Sequence, residues 1–182
     1  MNPIIEYEYD NLILIAHAKD ETIFFYDYIT HNSLVVLLTK PSVRHDNEVL
    51  NDVIIKKGAS LAYLDEIESF ETDYELENRS KSKLSSIMAT YDFERIITHG
   101  AVSKKSDPQN RALFDYTKSL KLKNHYVLNY GETSNKKISD EFKKFLYRYT
   151  LIYKTLDERK KYFSKYLSVY QKVIGIKKNQ ID

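Results

Sequence analysis

What most constrains this chain is a recurring alternation. A short, unbroken apolar run is followed by a longer stretch with apolar residues at helical spacing. Leu12-Ile13-Leu14-Ile15-Ala16 and Leu34-Val35-Val36-Leu37-Leu38 are each bounded by polar residues. Runs of this length, apolar on successive residues, fit strands buried on both faces, as in a parallel sheet. Leu61-Ala62-Tyr63-Leu64, Arg95-Ile96-Ile97-Thr98 and Tyr126-Val127-Leu128 mark three more strands. The intervening stretches 23–29, 44–57, 79–90 and 108–120 read as helices. Asp20 and Glu21 put acids in the first turn of the earliest one. Gly58 stands at the C-cap of the second, and Asp107-Pro108 supply an N-cap and an N1 proline for the fourth. Two charged helices, about 138–150 and 157–173, close the chain.

Strand and helix alternating four times predict an α/β domain with a mostly parallel sheet and right-handed crossovers. Such sheets bind ligands beyond the C-terminal ends of their strands. That rule selects 17–21, 39–44 and 99–110 as the stretches to search for chemistry.

Composition removes several classes. With no Cys, disulfide frameworks, thiol nucleophiles and Cys-held metals are excluded. Gly is 4 of 182, too few for a Gly-rich phosphate loop. Neither an apolar run long enough to cross a bilayer nor a signal-peptide pattern is seen, so a cytoplasmic protein without a membrane span is expected. The net charge of +2 hides an asymmetry: residues 136–182 carry +8 and the first 135 carry −6. We therefore expect an α/β core over 1–135, with basic, Tyr/Lys-rich helices over 136–182 packing on it. Phe142, Phe145, Leu146 and Tyr149 recur at helical spacing, which favours packing over nucleic-acid binding, although Tyr and Lys also alternate there. Asp65–Glu77 holds seven acids and no base, and reads as a solvated loop in which Ile67, Phe70 and Tyr74 leave room for a partner.

Two histidines directly follow expected strands, His17 and His99. Asp20 lies three residues after His17, close enough for an imidazole and a carboxylate to share a metal ion. Ala16-His17-Ala18-Lys19-Asp20-Glu21-Thr22 resembles the Ala-His-Pro-Asp-Asp-Glu motif of the PIG-L/LmbE-like de-N-acetylases. Thr98-His99-Gly100 resembles the family's next strand end, and Asp107-Pro108-Gln109-Asn110 stands where its His-Pro-x-His motif belongs. Thr39, Arg44, Glu48 and Gly58 follow its order of elements, with a looser echo in 160–168. The resemblance covers about residues 10–170.

The resemblance implies a Rossmann-like three-layer sandwich and zinc-dependent hydrolysis of an N-acetyl sugar amide. It places the metal ligands at His17, Asp20 and Asn110, the general base at Lys19 and the oxyanion-assisting group at Asp107. Arg44 and His99 fall at substrate-binding positions, with a sugar or nucleotide-sugar as ligand. Three of these positions depart from the family's pattern. Lys19 is a cation where a base is needed, Asn110 is a neutral amide where imidazole is needed, and Asp107 is a carboxylate beside a developing oxyanion. The expectation is therefore a site with zinc chemistry lost or strongly reduced, held by a network of Lys19 with Asp20 or Asp107 and keeping a sugar pocket. The alternatives are an active hydrolase with a His17-Asp20-Asp107 metal site, and a non-enzymatic binding module. Taken without the resemblance, Arg44 and Glu48 form an ordinary i,i+4 ion pair and Asp107 an ordinary helix cap.

Overall fold

The computed structural model describes residues 8–100, 107–132 and 136–179. It is an α/β protein built on one six-stranded sheet of order β3-β2-β1-β4-β5-β6. The strands are β1 (Asn11–Ile15), β2 (Ser33–Thr39), β3 (Ser60–Glu66), β4 (Arg95–Thr98), β5 (His125–Tyr130) and β6 (Val173–Lys178). The first five are parallel to their neighbours, and β6 runs antiparallel to β5. The helices are α1 (Asp20–Ile23), α2 (Arg44–Lys57), α3 (Asn78–Thr90), α4 (Pro108–Ser119), α5 (Asp140–Thr150) and α6 (Leu156–Lys172).

The apolar runs form the central strands because both faces of the sheet are covered. Leu12, Leu14, Ala16, Leu34, Val36 and Leu38 pack with Leu84 of α3 and Leu113 of α4. The alternate residues Ile13, Ile15, Val35 and Leu37 pack with Leu50 and Ile54 of α2. A third cluster joins α2 to α5 and α6 through Val49, Val53, Phe142, Leu146, Tyr149 and Tyr170. The basic helices thus pack by their aromatic stripe. This layering is compatible with a Rossmann-like sandwich.

Two elements differ from expectation. The helix expected over 23–29 is a single turn ending at Ile23, followed by turns. This stretch has no polar face: Phe25 and Ile29 enter the cluster beside β1 and β2, while Tyr26 points into the α5 cluster. A regular helix presents one stripe and could not serve both. The second difference is β6. The end of the chain pairs with β5 as a sheet edge, with Val173 inside and Lys177 and Lys178 exposed. Lysines on an edge strand discourage further strand addition. Elsewhere local chemistry sets the boundaries. Gly58 ends α2 at φ 67°, where a Cβ would meet His31 Cβ at 3.3 Å.

The strand order changes direction at β1. The chain leaves β1 toward β2 and β3 on one side and returns to β4 and β5 on the other. That switch point opens a crevice between the C-terminal ends of β1 and β4.

Candidate functional site

A pocket of about 400 Å³ lies at this crevice. Its lining includes His17 and Asp20 after β1, Phe24, His99 and Gly100 after β4, Asp107, Asn110 and Arg111 of α4, Tyr130 of β5, and Val169 and Lys172 of α6.

His17 sits at its centre. Nδ1 lies 3.2 Å from Thr39 Oγ1 and Nε2 lies 3.1 Å from Asp107 Oδ2. Thr39 Oγ1 already donates to the Ala16 carbonyl at 2.8 Å, so it can only accept from Nδ1. The Asp107 carboxylate can only accept from Nε2. The two contacts together favour a proton on each ring nitrogen. Burial is the largest single influence and opposes the resulting charge, but the Asp107 hydrogen bond and the attraction of Asp20, Asp107 and Glu68 together outweigh it and raise the His17 pKa. Burial also opposes the Asp107 charge, but His17 and the Asn110 and Gln109 amides outweigh it and hold its pKa below the usual carboxylate value.

Asp107 therefore does two jobs. Its Oδ1 caps α4 by accepting from Gln109 N at 2.9 Å and Asn110 N at 3.0 Å, while Oδ2 faces His17. The first turn of α4 thereby fixes Asn110. Its Oδ1 accepts from Ala16 N and its Nδ2 donates to Asp20 Oδ2, each at 3.0 Å. The Ala16 N–H must find an acceptor, which sets which end of the amide points where. His99 Nε2 lies 3.7 Å from Asp20 Oδ2, buried and without a hydrogen-bond partner among the described residues. Phe24 and Phe25 hold the His99 ring edge-on at 4.6 and 4.9 Å.

Lys19 does not join this network. It has φ 82°, an uncommon conformation for a residue with a side chain, and its Nζ pairs with Asp46 of α2 at 3.2 Å. The expected Lys19 network with Asp20 or Asp107 is thus replaced by two other pairs, His17 with Asp107 and Asn110 with Asp20. The reason is geometric: the turn after β1 aims Lys19 at α2, whereas α4 reaches the pocket centre. Arg44 also lies outside the pocket lining. Its side chain is 92% exposed and bonds Glu48 at 2.8 Å, the i,i+4 pair of an ordinary helix surface.

The resemblance implies zinc on His17, Asp20 and Asn110; here the two His17 nitrogens face Thr39 and Asp107, and the Asn110 amide oxygen accepts from Ala16 N–H. Among the described residues, no three His, Asp or Glu side chains group as metal ligands.

Beneath the pocket, Glu21 is fully buried. Thr22 donates to its Oε1 at 2.8 Å and the Tyr149 hydroxyl donates to the same oxygen, leaving Oε2 without a partner among the described residues. Burial pushes this carboxyl up to about 7, though the two hydroxyls pull it back in part. His125 is a satisfied core histidine. Thr98 Oγ1 donates to the His99 carbonyl, so it accepts from His125 Nε2 at 2.9 Å. Burial lowers the His125 pKa to about 4, which keeps the ring neutral.

Tyr130, Val169 and Lys172 were not singled out as pocket residues by the sequence. Tyr130 carried a usable signal, since it ends a parallel strand; Val169 and Lys172 reach the pocket only through the packing of α6.

Compared with known proteins, the chain matches no family model, no curated protein and no solved structure.

Proposed function

We propose that this chain is a metal-free binding protein for a small sugar or nucleotide-sugar, descended from a PIG-L/LmbE-like de-N-acetylase that has lost its zinc chemistry. One observation carries the reading. The residues at the family's metal and oxyanion positions bond to one another and to the backbone at the floor of an open pocket. His17 pairs with Asp107, and Asn110 is locked between Ala16 N and Asp20.

The remaining lining suits a polyhydroxylated ligand. Asp20 and His99 offer polar atoms for hydroxyl groups, and Phe24 and Tyr130 offer aromatic surface for the apolar face of a pyranose. Arg111 and Lys172 put positive charge in the lining, where a diphosphate would be favoured.

Calorimetry with N-acetylglucosamine, with its uridine-diphosphate conjugate and with zinc alone tests the reading. Sugar binding that weakens about tenfold or more in Tyr130→Ala and Asp20→Asn, with no heat from zinc, is the expected result. Micromolar zinc binding together with amide hydrolysis that disappears in His17→Ala would overturn it in favour of a metal-dependent hydrolase.

A further inference from the structure

The surface carries two apolar patches of opposite charge. The first lies where α5 turns into α6. Tyr147, Leu151, Ile152 and Leu156 are each at least 40% exposed there. The 17-residue α6 buries only Tyr170 fully. Lys154, Lys160, Lys161 and Lys165 surround the patch, exposed and without an ion pair among the described residues.

The second patch is the loop from β3 to α3, residues 67–77. Ile67 is 84% exposed and Phe70 75%. Glu68, Glu71, Asp73 and Glu75 are exposed around them and make no ion pair among the described residues. The loop is nevertheless anchored. Buried Gln109 donates to Ile67 O at 2.9 Å and accepts from Ser69 N at 3.1 Å, and Glu66 accepts from Glu77 N at 3.0 Å. Two large apolar side chains are thus presented from a backbone that is already ordered, which lowers the entropy cost of docking them.

We propose that the acidic loop of one copy docks on the basic α5–α6 turn of a second copy of this chain. Both patches present exposed apolar side chains, and the net charge at their rims is opposite in sign, although Asp157 and Glu158 also lie on the basic turn. Two-fold symmetry lets the contact form twice, loop on turn and turn on loop, and so closes the assembly as a dimer. Because Gln109 lies two residues after Asp107, the docked turn sits beside the pocket. The inference does not depend on what the pocket binds.

Sedimentation equilibrium over micromolar concentrations, at low and high salt, measures it. The expected result is twice the chain mass at low salt, falling toward one chain mass at high salt as the rim charges are screened. The double variant Ile67→Ser with Phe70→Ser should weaken the dimer about tenfold or more. Glu71→Lys with Asp73→Lys, and separately Lys160→Glu with Lys161→Glu, should each be monomeric alone, while an equal mixture of the two restores the dimer. A single chain mass under all conditions, or a dimer indifferent to these variants, overturns the proposal. So does a monomeric wild type whose basic turn binds anionic vesicles or single-stranded RNA.

Discussion

His17 and Asp107 stand 3.1 Å apart across the strand ends, although 90 residues separate them in sequence. The contact ties the first βα turn to the first turn of α4. Thr39 on the far side of the imidazole favours a proton on both ring nitrogens.

Asp107→Asn keeps a capping oxygen for Gln109 and Asn110 but removes the charge facing His17. The His17 pKa should then fall, to or below the usual imidazole value of about 6.5, because burial is no longer opposed by its main partner. Proton NMR titration of the His17 ring reads this directly. In the parent protein, the raised His17 pKa gives stability that is full below the usual imidazole value and is lost as pH rises through the folded value. The lowered Asp107 pKa gives stability that is present above the usual carboxylate value and is lost in acid. The pair therefore stabilises most between those limits, and the variant should lose that plateau.

Asn110→Ala leaves the Ala16 N–H and one oxygen of Asp20 without their partners. Each orphaned buried group costs about 1 to 3 kcal/mol, so urea unfolding at neutral pH should show a loss of about 2 to 6 kcal/mol. Asn110→Asp keeps the acceptor for Ala16 but sets a second carboxylate against Asp20. Its penalty should grow as pH rises through the carboxylate range, whereas the alanine penalty should stay nearly flat there.

Glu21 binds its proton more tightly in the folded state, at about 7 against about 4.5 in the unfolded chain. The folded state therefore loses stability as pH rises between those values, by up to about 3 kcal/mol. Glu21→Gln keeps an oxygen for the Tyr149 and Thr22 hydroxyls and cannot ionise. Thermal melts should show the variant gaining on the parent from pH 5 to pH 8, with the gap closing in acid. A parent melting temperature that falls no faster than the variant's over that range would show that Glu21 is charged at no cost.

Arg44→Ala should leave ligand binding at the pocket unchanged and shift stability by no more than about 0.5 kcal/mol. Exposed i,i+4 pairs are worth little, and this guanidinium points into solvent. A tenfold loss of sugar affinity in this variant would show that the loop after β2 closes over the pocket.

Strands β1 and β2 were legible because each is an unbroken apolar run buried on successive residues, and β3, β4 and β5 because shorter apolar stretches recur between the helical segments. The ends of α2 and α4 were legible from Gly58 and Asp107-Pro108. The collapse of 23–29 to one turn was not, because an apolar stretch without a polar face does not say which neighbours will divide it. Nor was β6, where Val173-Ile174-Gly175-Ile176 follows a helix without a break in composition and becomes a strand only because β5 offers a free edge. At the site, His17, Asp20, His99, Asp107 and Asn110 do converge on one pocket. Lys19 and Arg44 do not, because a side chain's direction out of a turn depends on backbone angles that residue type leaves open.

The sequence by itself determined the α/β class, the order of elements and the strand ends where polar residues gather. These follow from local hydrophobic spacing and capping chemistry, which act within a few residues. The tertiary structure decided which polar groups meet. Asp107 had candidate partners in Lys19 and in a metal, and found His17. Asn110 had a ligand position open to it and found Ala16 and Asp20. Hydrogen bonds between groups about 90 residues apart depend on where the packed layers set each turn, so they emerge only once the sheet and α4 are in place.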